Sequence, residues 1–393
     1  MKKMIEEAFA KHFGGEGILY VAPGRFNLIG EHTDYNGGFV FPGAIDKYIM
    51  ADIRPNGTDG VVRLYSIDMD ASCEFGLNEE DAPKEQWARY VFGVCREIIK
   101  RGGVVKGFDA VFAGNVPLGA GLSSSAALES CFANALNDLF NDNRFPRMEL
   151  AKIGQSTEHN YCGVNCGIMD QFASVHGKKD YIMRLDCRSG EFEYFPIRLD
   201  GYKLVLVDSR VKHELVDSPY NKRRESCERV ARKLGVETLR DATMDMLNAA
   251  KDEISQEDYM RAEYVIGEKE RVLDVCDALN RGDLETVGDR MYKTHQGLSK
   301  LYEVSCEELD FLNDIAKECG VTGSRIMGGG FGGCTVNLVR DDIYDNFIDT
   351  VTSRFKERYG HEPKIYPIVV SDGARRYQER TNANKDWMPY LTS

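Results

Sequence analysis

The chain has 393 residues, a length for two domains or one large one, and at 42% hydrophobic and 29% charged it has an ordinary globular composition with enough apolar residues for a sizeable core. A formal net charge of −13 excludes partners bound through cation excess, nucleic acid and anionic membrane among them, but not a phosphorylated small molecule in a local cationic pocket. No apolar run approaches the roughly 20 residues needed to cross a bilayer, and eleven scattered cysteines fit a reduced, cytoplasmic compartment.

Residues 1–13 read as an amphipathic helix and not a signal peptide, because charges interrupt the apolar pattern. A strand is expected at 18–22. The segment 22–45 contains Asn36-Gly37-Gly38, a tight-turn signal, and strands follow at 48–53 and 61–66. Trp87, Tyr90, Val91, Val94, Cys95 and Ile98 recur on one helical face, which Gly102-Gly103 close. Residues 108–140 run as strand, Gly/Ser-rich loop and helix. Pro146 opens a helix to about 161, and a loop then leads to a short helix.

Strands are expected at 181–185 and 203–207, with a domain boundary just before the second of them, near residue 195. The domains are therefore 1–195 and 196–393. The second half reads as mostly helical over 217–319, longest at 257–281, with a further helix at 305–319. A glycine run, a helix at 341–359 and a strand at 364–370 complete it. Strands and helices in mixed order imply an α+β chain with mostly antiparallel pairing.

Four clusters carry chemistry. The loop Pro117-Leu118-Gly119-Ala120-Gly121-Leu122-Ser123-Ser124-Ser125 opens a helix, where backbone N–H groups and hydroxyls can hold a phosphate. No Lys-Ser/Thr pair follows the glycines, so it is not a Walker loop, and no third glycine completes a dinucleotide fingerprint. A plain helix cap explains one serine but not three. Gly328-Gly329-Gly330-Phe331-Gly332-Gly333 lies between ordered elements, which favours a close backbone approach over a flexible linker. Arg25, Glu31, His32 and Asp34 form the third cluster. Its carboxylates can accept from paired hydroxyls, or it is a solvated turn. Asp170 is a lone carboxylate in an apolar setting, either a functional group or a helix cap, and Glu158, His159 and Asn160 lie upstream. Cys162 and Cys166 are neighbours, but no second pair completes a zinc set.

Together these clusters resemble the galactokinases of the GHMP small-molecule kinase superfamily over nearly the whole chain. The run from Gly24 through Arg25-Phe26-Asn27-Leu28-Ile29-Gly30-Glu31-His32-Thr33-Asp34 to Gly38 is similar to the galactokinase signature. The Ser-rich loop resembles the superfamily ATP loop, and the glycine run resembles its third motif. Segments 208–213, 220–224 and 302–305 are also similar to galactokinase blocks. Met327 and Phe26 depart from the usual Thr and Val.

The resemblance implies an N-terminal domain like ribosomal protein S5 domain 2 and a ferredoxin-like C-terminal domain, with the active site between them. It implies ATP and Mg²⁺ and transfer of phosphate to the C1 hydroxyl of α-D-galactose; a monomer is the separate expectation for assembly. Asp170 would be the base and Arg25 the stabiliser of the transferring group. Glu31, His32, Asp34, Gly167, Asp170 and Tyr220 would contact the sugar. Gly119, Ala120, Gly121, Leu122, Ser123, Ser124 and Ser125 would bind the ATP phosphates, and Trp87 the adenine. Ser125 and Glu158 would be magnesium ligands. Related expectations are a kinase for N-acetylgalactosamine or arabinose, or a non-catalytic regulator responsive to galactose and ATP.

Overall fold

The computed structural model describes residues 1–117, 119–211 and 219–378. The first half runs α1 (Lys2–Phe13), β1 (Ile18–Asn27), β2 (Phe39–Val40), β3 (Pro42–Pro55), β4 (Val61–Ser66), β5 (Ala71–Gly76), α2 (Gln86–Lys100), β6 (Phe108–Gly114), α3 (Ser124–Asn141), α4 (Arg147–Thr157), α5 (Met169–His176), β7 (Tyr181–Asp186) and β8 (Phe192–Pro196). The second half runs β9 (Tyr202–Asp208), α6 (Pro219–Leu234), α7 (Met244–Ala249), α8 (Gln256–Arg281), α9 (Leu284–Lys300), α10 (Glu307–Glu318), β10 (Gly323–Ile326), β11 (Cys334–Arg340), α11 (Tyr344–Tyr359), β12 (Lys364–Ile368) and β13 (Arg375–Arg376).

Three sheets result, ordered β13-β1-β3-β6-β4-β5, β10-β11-β9-β12 and β2-β7-β8. Described pairings are antiparallel except for β4 with β6. Side-chain alternation divides the first sheet. Val21, Met50, Val111 and Ala113 pack with Ile5 and Phe9 of α1. Tyr20, Ala22, Ala51, Ile53, Ala110 and Phe112 enter the main core with α2–α5. Strand β9 alternates in the same way. Leu204 and Leu206 join the main core, and Val205 and Val207 join a second core beneath the C-terminal helices.

Two local irregularities position the site. The β1–β3 register slips between Pro23 and Arg25, and such a bulge re-aims the residue that follows it. The helix expected over 146–161 keeps regular turns only to Thr157, and Glu158–Cys162 then widen into a π-turn. Strand β3 is much longer than the expected 48–53, because Pro42, Gly43, Asp46 and Lys47 hide its start. The short strands β5, β8, β10 and β13 were not expected. After β12 the chain crosses back, and β13 pairs with β1.

Candidate active site

The Ser-rich loop is built to lie close to β1. Gly119 and Gly121 take positive φ, which suits glycine. A Cβ on Gly24 would meet Leu122 O at 2.6 Å, so Gly24 lets the loop approach the strand. Arg25 N donates to Leu122 O at 3.1 Å, and the Arg25 guanidinium donates to Gly121 O. From the other half, Cys334 Sγ donates to Ala120 O at 3.0 Å.

Ser123 occupies the cap position of α3 but in the left-handed region, and its hydroxyl makes no capping bond. That hydroxyl donates to Asp170 Oδ2 instead. Arg25 Nε donates to Asp170 Oδ1 at 2.8 Å. Asp170 lies in the first turn of α5, and α5 has no side-chain cap. Both plain capping readings are therefore wrong, for Ser123 and for Asp170 alike. Helix α3 has no acidic residue in its first turn, so its N-terminal amides keep their attraction for an external anion.

Glu158 is buried at the start of the π-turn. Burial holds its carboxyl above the usual range, a hydrogen bond from Ser125 offsets this in part, and nearby Asp170 adds to the rise. Behind it, Glu129 of α3 is fully buried. Its Oε2 accepts from Gln171 Nε2 at 3.0 Å, and its Oε1 is among the buried atoms without a hydrogen-bond partner. Burial, and next the charge of Glu158, push the Glu129 carboxyl well up. Among the described residues, no group of three or more His, Cys, Asp and Glu is arranged to hold a metal ion. His159 and Asn160 are absorbed structurally: His159 Nε2 bonds to Cys166 O at 2.8 Å, and Asn160 Nδ2 donates to Glu97 at 2.9 Å.

The turn after β1 gathers the third cluster. Glu31 Oε1 accepts from Arg325 Nη2 and from Gly328 N, each at 2.9 Å. His32 has φ of 60° and is buried. Its Nε2 donates to Gly329 O at 3.1 Å, leaving Nδ1 to accept from the Tyr35 hydroxyl at 2.8 Å. Burial lowers its pKa to about 4, in keeping with a neutral ring. Tyr35 continues through its hydroxyl to Tyr302 at 2.6 Å.

Asp34 has its pKa raised to about 6, first by desolvation and also by the charges of Glu31 and Asp170. Gly167 lies against it, since a Cβ there would meet Asp34 Oδ2 at 2.5 Å. The structure thus brings Arg25, Glu31, His32, Asp34, Gly167, Asp170 and the Ser-rich loop into one region, with the glycine run of the other half closing on Glu31 and His32. The side chain of Tyr220 lies outside the described residues, as does Leu118. Trp87 packs on Phe112 at 5.6 Å between ring centroids, as its helical spacing requires.

Residues that the sequence reading did not single out as site residues include Arg325, Tyr264, Glu129 and Gln171. Arg325 left no signal, because it sits in the short strand Gly323–Ile326, whose sequence GSRI has no apolar pattern around it.

Family models match three parts of the chain. They are the galactokinase galactose-binding signature over residues 7–55, the GHMP kinase N-terminal domain over 89–178 and the GHMP kinase C-terminal domain over 276–357. The galactokinase of Thermotoga petrophila is 41% identical over 356 residues, covering 90% of this chain and 99% of the relative. That of Clostridium acetobutylicum is 40% identical over 388 residues, covering 96% and 98%. The crystal structure of Lactococcus lactis galactokinase complexed with galactose superposes with a TM-score of 0.89 at 34% identity, covering 95% of this chain and 98% of that one. The chain therefore belongs to the galactokinase family of GHMP kinases and is an enzyme, a kinase that uses ATP.

Proposed function

We propose that the chain transfers the γ-phosphoryl group of ATP to the C1 hydroxyl of α-D-galactose, giving ADP and α-D-galactose 1-phosphate. The observation that carries this reading is the convergence of Arg25 and Ser123 on Asp170, beside Glu31, Asp34 and Gly167. Phosphoryl transfer is mostly positioning and charge neutralisation. Glu31 and Asp34 accept sugar hydroxyls, and His32 contacts the sugar as a neutral ring beside them. Asp170 orients the C1 hydroxyl and takes its proton as the O1–P bond forms and the bond to the ADP oxygen breaks. Arg25 lies where it can neutralise charge on the transferring group.

The α3 N-terminus, with Gly119, Ala120, Gly121, Leu122, Ser123, Ser124 and Ser125, binds the phosphates without a Walker lysine. Ser125 and Glu158 fit a magnesium ion as a hydroxyl and a hard carboxylate already in contact, and the phosphates supply further oxygens. Held there, Mg²⁺ would supply positive charge against the phosphate oxygens. Trp87 and Tyr220 are assigned to adenine and sugar contacts by family resemblance.

A division of the chain near residue 195, a monomeric state and a cytoplasmic setting belong to the same proposal. Eleven free cysteines suit a reduced compartment. The Ser123–Ser125 hydroxyls and Asp170 argue for catalysis over a regulator. A panel of sugars in an ADP-release assay, with and without Mg²⁺, tests the reading. Turnover is expected with galactose and Mg²⁺, and absence of turnover with galactose overturns it.

A further inference from the structure

Arg325 has no exposed surface, although it carries a full charge. A buried guanidinium is costly unless its donors are satisfied. Here the fork is well occupied. Nε donates to Leu28 O at 2.7 Å, Nη1 to Ile326 O at 2.5 Å, and Nη2 to Asn27 O at 2.5 Å and Glu31 Oε1 at 2.9 Å.

Three of these acceptors belong to the 27–31 turn of the N-terminal half, whereas Arg325 belongs to β10 of the other. The same turn is held from α8. Gly30 N donates to Glu268 Oε1 at 2.8 Å, and Tyr264 Oη donates to Glu31 O at 3.0 Å. Gly328 N, three residues after Arg325, is the second donor to Glu31 Oε1. Both of these bonds fall on one carboxylate oxygen, which leaves Oε2 for a hydroxyl donor.

We propose that Arg325 is a positioning residue for the sugar: acting through Glu31, it sets sugar affinity from the C-terminal half without itself touching the sugar. The proposal rests on the reading that Glu31 accepts a sugar hydroxyl. It also explains why the residue is arginine. Acceptors on four different residues need a planar fork, and a lysine ammonium is a point donor that cannot span them.

The test compares wild type with E31Q, R325K and R325Q. Galactose and deoxygalactose affinities are measured by calorimetry without nucleotide, and a non-hydrolysable ATP analogue is measured separately. E31Q is expected to weaken galactose by about tenfold or more, and the Arg325 variants by a similar factor, as loss of a charge-assisted bond implies. Analogue affinity should stay within about twofold of wild type, because among the described residues none of the Arg325 hydrogen bonds goes to the phosphate loop. The deoxygalactose that abolishes the E31Q penalty should abolish the Arg325 penalty too.

Wild-type galactose affinity in folded R325K and R325Q, beside an impaired E31Q, overturns the proposal. So does equal weakening of galactose and analogue, or a penalty that persists for every deoxy sugar. Failure of both variants to fold assigns Arg325 to the fold alone and also overturns it. Wild-type affinity in E31Q would instead remove the sugar reading of Glu31 itself.

Discussion

The Arg25 guanidinium and the Asp170 carboxylate meet at 2.8 Å, and the same guanidinium reaches Gly121 O in the phosphate loop. One side chain thus ties the proposed base to the proposed phosphate cradle. Asp170→Ala should lower kcat by about 10²–10⁴, the usual range for a general base. Galactose should still bind, more weakly, because Glu31 and Asp34 remain. Single-turnover kinetics with calorimetric galactose binding checks both parts, and wild-type turnover would sink the assignment.

Asp34 should show a conflict between stability and binding. Its folded pKa of about 6 lies above the ordinary 3.8. The folded state therefore binds that proton more tightly than the unfolded chain does. The resulting stabilisation is fully present below about pH 3.8 and is lost as pH rises through about 6. Asp34→Asn should raise the Tm of the ligand-free protein at pH 8 and bring little gain at pH 4. The same variant should weaken galactose by about tenfold or more, as expected where a charged acceptor is lost. Thermal melts across this pH range, with and without galactose, measure both effects. A lower Tm for the variant at pH 8 would contradict the account.

Gly167 touches Asp34 rather than a distant wall. Gly167→Ala would place a Cβ 2.5 Å from Asp34 Oδ2, closer than real contacts allow. The carboxylate must then move. KM for galactose should rise by about tenfold while KM for ATP stays unchanged, since the displaced group faces the sugar and not the nucleotide. An equal rise in both constants would argue for general loosening of the loop.

The magnesium assignment has its own readout. Glu158→Gln and Ser125→Ala should each raise the Mg²⁺ concentration giving half-maximal turnover, with the larger effect at Glu158 because it supplies charge. Chelation should abolish turnover in the wild type. A metal titration at saturating ATP and galactose gives the curves, and unchanged curves in Glu158→Gln would remove that residue from the ligand set.

Much of this site was legible because its parts are local. Glycines beside three serines, and Arg25 six residues before Glu31, mark their own segments without a structure. The short strand β10 was not legible. Its few residues carry no clear alternation, and a buried arginine reads as surface until its partners appear from the opposite end of the chain. Glu129 was hidden for a related reason. On a helix face a carboxylate looks solvated, and only tertiary packing beneath Gln171 and Glu158 buries it. The positive φ of His32 and Ser123 left no mark either, because neither residue type signals left-handed backbone as glycine does.

The return of the chain after β12 has a consequence for how the protein can be taken apart. Ser371 N donates to Ala44 O, Gly373 N to Gly177 O, Ala374 N to Ser174 O and Tyr377 N to Leu19 O. Two of these bonds brace the end of α5, the helix whose first turn carries Asp170. An N-terminal fragment made alone would lack that brace and would leave the β1 edge open to other chains. The N-terminal half is then not a self-sufficient unit. The two pieces should form soluble, active protein when they are produced together, and an N-terminal piece expressed by itself should aggregate.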